Sequence, residues 1–470
     1  MALVTNPLAP AWLDESVDAN ALVPGIWADS VARDGSGEIT VGGVSASALA
    51  HRFSTPLYVV DEDHAKARAR RVREAFDVAF ARVGSSAKVY YAGKAFLCTE
   101  VVRWVVDAGM YVDVASGGEL AVALAAGIDP ARIGFHGNNK SIAEIERAVA
   151  VGVGTLVVDS DWEIERVADA ARSAGRRQRV RLRVNSGVHA NTHDFLATAH
   201  EDQKFGVTIS DAPDIVAEIR THPELEFVGL HCHIGSQIYG TAGFAESASR
   251  LVELHAALNA IAPVPELNLG GGFGIAYKPG DAPTDIETIA DEIAAAVARE
   301  CAARNIPVPV MAFEPGRAVI GTSTFTLYSV GTTKEVTLEV DGASATRLYV
   351  SVDGGMSDNA RPALYGADYH VRIANRISPE DRQLVRVAGK HCESGDIVVN
   401  ADYLPADVEP GDLLAVAATG AYCWSLSSNY NYLARPAVVA VSGSEARVIV
   451  RGETEADLLA RDAGIIGGNK

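Results

Sequence analysis

The chain has 470 residues, 48% of them hydrophobic, with Lys+Arg 41 against Asp+Glu 60 and a formal net charge of -19. That composition excludes a disordered chain, is long enough for two domains, and argues against nucleic acid or an anionic membrane surface as partner, which leaves a small molecule. Five cysteines (Cys98, Cys232, Cys301, Cys392, Cys423), an odd number without a CxxC pair, indicate neither a disulfide framework nor a structural zinc site; an important cysteine here acts as a free thiol.

Residues 1–50 read as a weakly patterned arm, wrapped on the surface or against a partner. They lack a basic segment followed by an apolar core, and no later apolar run approaches a membrane span, so the expected location is the cytoplasm. Residues 51–84 hold a short strand, TPLYVVDED, and an amphipathic helical stretch from His64 to Arg82. Over residues 85–320, short β-branched runs alternate with helical patterns. The strand candidates are KVYYA, MYVDV, RIGFH, TLVVD, VRLRVN, EFVGLHCH, ELNLG and VPVMAFE, separated by stretches such as TEVVRWVVDAG, GGELAVALAAG and AEIERAVAVG. This rhythm predicts an α/β protein with a closed (β/α)8 TIM barrel; an open doubly wound sheet is the alternative. Residues 321–470 turn β-rich and predict a second, mainly antiparallel β domain, which the early PLYVV strand could complete.

Barrels place their active sites where strands end, so polar residues should gather after each run. Lys94 follows the first strand, Asp113 and Ser116 the second, HGNN the third, Arg183 and Asn185 the fifth. His231 and His233 end the sixth, LGGGFG follows the seventh and EPGR the eighth. Lys94 lies in VYYAGKAFL, a run that otherwise reads as a buried strand. Either it snorkels from a strand end, or desolvation favours its free amine as a nucleophile. Gly270, Gly271, Gly272 and Gly274 let backbone N–H groups approach a phosphate. Glu314 and Arg317 flank a Pro-Gly turn, as a surface ion pair or as a carboxylate and a guanidinium aimed at a ligand. A lysine, a phosphate cradle, a carboxylate and a flat histidine together match the needs of pyridoxal 5'-phosphate. The HCH run around Cys232 is not expected to bind metal, because adjacent residues on a strand point to opposite faces.

YYAGKAF, HCHIGSQ, LGGGFG, EPGR, CESGD and GAY occur in this order. The chain from about residue 50 to 455 thereby resembles the diaminopimelate decarboxylases, pyridoxal-phosphate enzymes with an alanine-racemase-like barrel and a C-terminal β domain. The resemblance implies that Lys94 carries the cofactor and His233 covers its ring. It gives Ser236, Gly272, Gly316 and Arg317 to the phosphate region, and Glu314 to the ring nitrogen. Arg361 and Tyr365 match positions that grip the distal end of the substrate, with Arg317 nearby. Cys392 matches the proton donor and Glu393 the recogniser of the distal amino group. Tyr422 matches a tyrosine that reaches cofactor phosphate and substrate. The implied reaction takes meso-2,6-diaminopimelate to L-lysine and carbon dioxide, the last step of lysine synthesis, in a homodimer that shares its active sites. A sibling decarboxylase of ornithine, arginine or lysine, and a non-catalytic regulatory homologue, are the alternatives; a cofactor-independent barrel hydrolase is more remote. Ser186 stands where the family pattern has proline, and the first 50 residues exceed the family core.

Overall fold

The computed structural model describes residues 6–14, 18–188, 204–340 and 342–465. It divides into two compact units, one of residues 66–274 and 283–319, the other of residues 1–65, 275–282 and 320–470.

The first unit is a closed parallel barrel. Its strands are Ala87–Ala92, Tyr111–Val114, Ile133–Phe135, Thr155–Val158, Gln178–Asn185, Leu225–His231, Glu266–Asn268 and Val310–Phe313. Each pairs with the next, the fourth with the fifth included, and the eighth returns to the first. An open sheet would leave two edges and a switch in strand order; this chain has neither among its barrel strands. Both faces of these strands are covered, so most of them read as apolar runs rather than alternating patterns. Side chains of the intervening helices cap their own ends. Ser116, expected at the mouth, accepts the Glu119 N–H at 3.2 Å as N-cap of helix Gly117–Ala125. Ser141 and Glu144 form a capping box on helix Ile142–Val151, which ends at left-handed Gly152.

The barrel interior holds a charged cluster at the start of the seventh strand. Glu266 receives Arg181 Nη2 at 2.6 Å, Arg179 Nη2 at 2.7 Å and the Lys88 ammonium. Burial alone would push its pKa up; Arg181 and Lys88 outweigh that and hold it down at about 2, against 4.5 ordinarily. A depressed carboxylate contributes stability above its unfolded pKa and loses it as pH falls through the folded one, here about 3 kcal/mol between pH ~4.5 and ~2. Glu266→Gln is expected to cost about 3–5 kcal/mol at pH 7, because it strands buried Arg181. The variant should also lose less stability on acidification from pH 5 to 3. Denaturant melts at both pH values check this, and parallel losses in the two proteins would refute it.

The second unit is built on a nine-stranded sheet that is mostly antiparallel. The early strand Leu57–Asp61 enters it, antiparallel to Thr324–Val340 and parallel to Ala437–Ser442. The weakly patterned residues before it contain three strands of two or three residues and helix Ala46–Phe53. Ile26, Trp27, Ile39 and Val41 are buried, and Arg33 Nη2 donates to the Ile373 carbonyl at 3.0 Å. Strands this short carry no detectable period, which is why the segment reads as an arm. Among the described residues, no helix is long and apolar enough to cross a membrane.

Candidate active site

The first barrel strand ends at Ala92, and Lys94 sits on the single turn Gly93–Ala95 that follows. Its flanking residues Gly93 and Ala95 are buried but Lys94 itself is exposed, which corrects the reading of a lysine desolvated within a strand. It lines a cavity of about 140 Å³ together with Asp113, His136, Arg183, His233 and Glu314.

Glu314, from the end of the eighth strand, is the best-held group in this cavity. Asn268 Nδ2 donates to its Oε1 at 2.7 Å, and His231 Nε2 lies 3.1 Å from Oε1. His136 Nε2 stands 3.6 Å from Oε1 and 3.1 Å from Asp113 Oδ1. Burial pushes His136 and His231 down to about 4 and His233 to about 3, so all three rings are neutral at neutral pH. Asp113 is pushed well up by burial and by the charge of Glu314. Burial also acts to raise Glu314, but His231 and His136 hold it well below the carboxylate range. Two close carboxyls cannot both ionise cheaply, so Glu314 keeps the charge and Asp113 the proton.

Among the described residues, His136, His231 and Glu314 are also the one group spaced for a cation, their donor atoms lying within 4.8 Å of one another. The Asn268 N–H already occupies Glu314 Oε1, which favours a hydrogen-bond network at this point. The HCH run forms no chelate of its own. Cys232 Sγ faces away to Ser186 Oγ at 3.3 Å, while His233 Nδ1 accepts the Gly271 N–H at 3.3 Å. Ser186 is buried, and Ser247 Oγ donates to it at 3.1 Å; its hydroxyl makes contacts that the expected proline could not.

Three loops form a cradle beside the cavity. A Cβ on Gly271 would lie 2.0 Å from the Glu314 carbonyl oxygen, and one on Gly272, at φ +109°, 2.3 Å from that of Gly235. Only glycine lets the loops after the sixth, seventh and eighth strands close this tightly. Ile238 N–H donates to the Gly272 carbonyl at 2.9 Å, and Gly274 N–H returns to Ile238 at 3.0 Å. Buried Arg317 donates from Nη2 to Ser236 Oγ at 2.8 Å, and Gly316 sits against Ala92. Glycine backbone, a hydroxyl and a guanidinium make a donor set that fits a phosphate, and a carboxylate held ionised fits a protonated ring nitrogen.

The remaining sequence-derived residues lie in the second unit. Arg361 is buried at the start of helix Arg361–Tyr365; its Nη1 donates to Tyr369 Oη at 2.5 Å. Its guanidinium is 4.7 Å from the ring centre of Tyr277 and 6.0 Å from that of Tyr422, which has φ +67°. Tyr365 ends the same helix and is exposed. Cys392 and Glu393 are adjacent and exposed; the Cys392 N–H donates to Asn431 Oδ1 at 3.1 Å, and Glu393 Oε1 accepts the Gly395 N–H at 3.3 Å. Cys392 is the one exposed thiol of five.

Residues 63–321 match the family model for the pyridoxal-binding domain of pyridoxal-dependent decarboxylases. A diaminopimelate decarboxylase of Mycobacterium tuberculosis strain H37Rv is 48% identical over 446 residues, 93% of this chain and 98% of that protein. The chain belongs to the diaminopimelate decarboxylase family. Another member, from Bacillus subtilis, is 41% identical over 432 residues, covering 91% of this chain and 95% of its own. A crystal structure of diaminopimelate decarboxylase from M. jannaschii in co-complex with L-lysine superposes with TM-score 0.83 at 31% identity, covering 93% of this chain and 98% of that one.

Sequence reasoning on this decarboxylase missed several groups. Asp159 follows the fourth strand, the one strand end given no polar residue at the outset. Its Oδ2 accepts the Gly206 N–H at 3.0 Å and its Oδ1 lies 3.8 Å from Arg183 Nε, whose guanidinium stands 4.2 Å from the centre of the Phe205 ring. The signal was present as the aspartate that closes TLVVD. Asn268 and Tyr277 had none, since an Asn within a strand and a Tyr within a loop are common. The stretch that follows the fifth strand and Ser186 lies outside the described residues from position 189 to 203.

Proposed function

We propose that this decarboxylase converts meso-2,6-diaminopimelate to L-lysine and carbon dioxide with pyridoxal 5'-phosphate. The observation that carries the reading is the convergence of Lys94, His233 and an ionised Glu314 on one cavity beside a glycine cradle. Pyridoxal phosphate, once bound, supplies the sink for the electron pair left when carbon dioxide departs. Lys94 would hold the cofactor, since its amine is the group at this mouth able to link to an aldehyde. Glu314 keeps a proton on the ring nitrogen, and Asn268 and His231 keep Glu314 in place. His233, neutral and fixed by the Gly271 N–H, offers a flat face to the ring. Ser236, Gly272, Gly316, Arg317 and Tyr422 hold the phosphate region.

The substrate differs from ornithine, arginine and lysine by a second carboxylate, which calls for a planar cation. Arg361 serves it, with its guanidinium oriented by Tyr369, and Arg317, Tyr365 and Tyr422 assist. Glu393 takes the distal ammonium. Cys392 returns a proton to the carbon that lost carbon dioxide. The exposure of Cys392 and Glu393 supports a homodimer in which these two residues serve the partner subunit's Lys94. The acidic balance and the small substrate support a cytoplasmic place for this work.

Carbon dioxide and lysine release by the purified protein with pyridoxal phosphate tests the reading, comparing meso-diaminopimelate with ornithine, arginine and lysine. Release from diaminopimelate alone is expected, and release only from another amino acid would overturn the assignment of the distal end. Arg361→Ala should raise KM for diaminopimelate about 10- to 100-fold, the loss of a bidentate charge-assisted pair, and narrow selectivity over lysine. Unchanged selectivity would remove Arg361 from this role. Mixed Lys94→Ala and Cys392→Ala subunits should regain activity once they exchange, because one of the two sites in a mixed dimer is intact. Exchange without recovery would count against shared sites.

A further inference from the structure

Cys392 and Glu393 ride on a turn that closes around one buried carboxylate. Asp396 Oδ1 accepts the Met356 N–H at 2.6 Å, and its Oδ2 accepts both the His391 N–H at 2.8 Å and His391 Nδ1 at 2.9 Å. The His391 backbone and ring thus both meet the same carboxylate oxygen. The Asp396 N–H donates to the Glu393 carbonyl at 3.1 Å, and the Gly389 N–H to the Asp396 carbonyl at 3.0 Å. Backbone packs directly on the acid: a Cβ on Gly389 would lie 2.2 Å from Oδ2, and one on Gly355 2.5 Å from Oδ1. The His391 ring is buried and lies parallel to that of Tyr430, 5.6 Å between centres at 3°. The next residue, Asn431, takes the Cys392 N–H.

A turn that only had to close would need no buried charge, since desolvating a carboxylate is costly unless every lone pair is used. Here two of the three donors on Asp396 come from residue 391 and fix it at its backbone and at its ring, while the third ties the acid to Met356. That sets the direction in which the next two side chains leave the turn.

We propose that Asp396 and His391 are positioning residues for the decarboxylation, holding Cys392 Sγ and the Glu393 carboxylate in their working orientation. The proposal rests on the roles given to Cys392 and Glu393 above. Neither Asp396 nor His391 has to touch substrate; both act through the turn.

The test uses holoenzyme carrying Cys392→Ala, Asp396→Asn, His391→Leu or His391→Asn. Four quantities are read: kcat, KM, bound cofactor by absorbance, and the rate of Cys392 alkylation by iodoacetamide. Asp396→Asn places an amide N–H against existing donors, and His391→Leu removes the Nδ1 contact. Both should lower kcat on the order of 10- to 100-fold, the cost of a reacting group displaced by about 1 Å, with cofactor content retained and the alkylation rate altered. His391→Asn puts an N–H where Nδ1 was, so its kcat should stay within about 3-fold of the unmodified enzyme. Equal impairment of His391→Asn and His391→Leu would overturn the proposal, and this pair decides the matter even if Asp396→Asn does not fold. An impaired Cys392→Ala beside unimpaired Asp396→Asn would overturn the positioning alone. An unimpaired Cys392→Ala would overturn the donor assignment and the positioning with it.

Discussion

Lys94→Ala should lower turnover on the order of 10³-fold or more and abolish the cofactor adduct that borohydride traps on the protein. Lys94 is exposed at the cavity, on a turn whose neighbours are buried, so its amine is presented while its backbone is fixed. Two other lysines of the barrel are engaged elsewhere. Lys140 Nζ donates to Glu163 at 2.9 and 3.0 Å and to the Gly137 carbonyl at 2.5 Å, and Lys88 is committed to Glu266. Withdrawing Lys140 would leave the buried charge of Glu163 without its ion-pair partner, and Lys88 belongs to the charged cluster around Glu266. Peptide mapping after reduction checks the assignment, and an undiminished adduct on another lysine would overturn it.

The second large effect is expected at Glu314. Glu314→Gln should lower kcat on the order of 10²- to 10³-fold, because a neutral amide cannot keep a proton on the ring nitrogen. Glutamine also keeps one oxygen, whereas Asn268 donates to Oε1 and His231 Nε2 lies 3.3 Å from Oε2, so the amide nitrogen takes the place of one of the two oxygens they meet. A separate readout is available without turnover. Asp113 is held well above the carboxylate range by burial and then by Glu314, so removing the charge should bring its titration down. A carboxyl raised in the folded state binds its proton more tightly there than in the unfolded chain, so stability falls as pH rises through the folded pKa. That slope should be smaller in Glu314→Gln, and the protonated-carboxyl infrared band should disappear at lower pH. An unchanged band would mean that the two acids are not coupled.

Much of the candidate site is legible before folding because barrel geometry converts a one-dimensional feature, the end of a strand, into a position at the mouth. Lys94, His233 and Glu314 each stand just past a short apolar run, and the structure brings all three to one cavity. Burial is less legible. Lys94 looks buried from its neighbours and is exposed, because the strand stops two residues earlier and the turn points it out. Ser116 looks like a mouth residue and is a helix cap, since Ser serves both purposes equally well.

By itself the sequence determined the alternation of strands and helices, the glycines that allow close approach, and the kinds of side chain available for binding a phosphate and a protonated ring. These depend on local propensity and on the run length of apolar residues, which are properties of neighbours in the chain. Tertiary structure alone decided that the eighth strand closes on the first, that Asp113, His136, Asn268 and His231 surround Glu314 so that one carboxyl is charged and the other is not, and that Tyr277 and Tyr369 orient Arg361. The reason is physical: a pKa, a hydrogen-bond partner and the direction of a buried guanidinium are set by distances between segments far apart in sequence, and no local pattern encodes those distances.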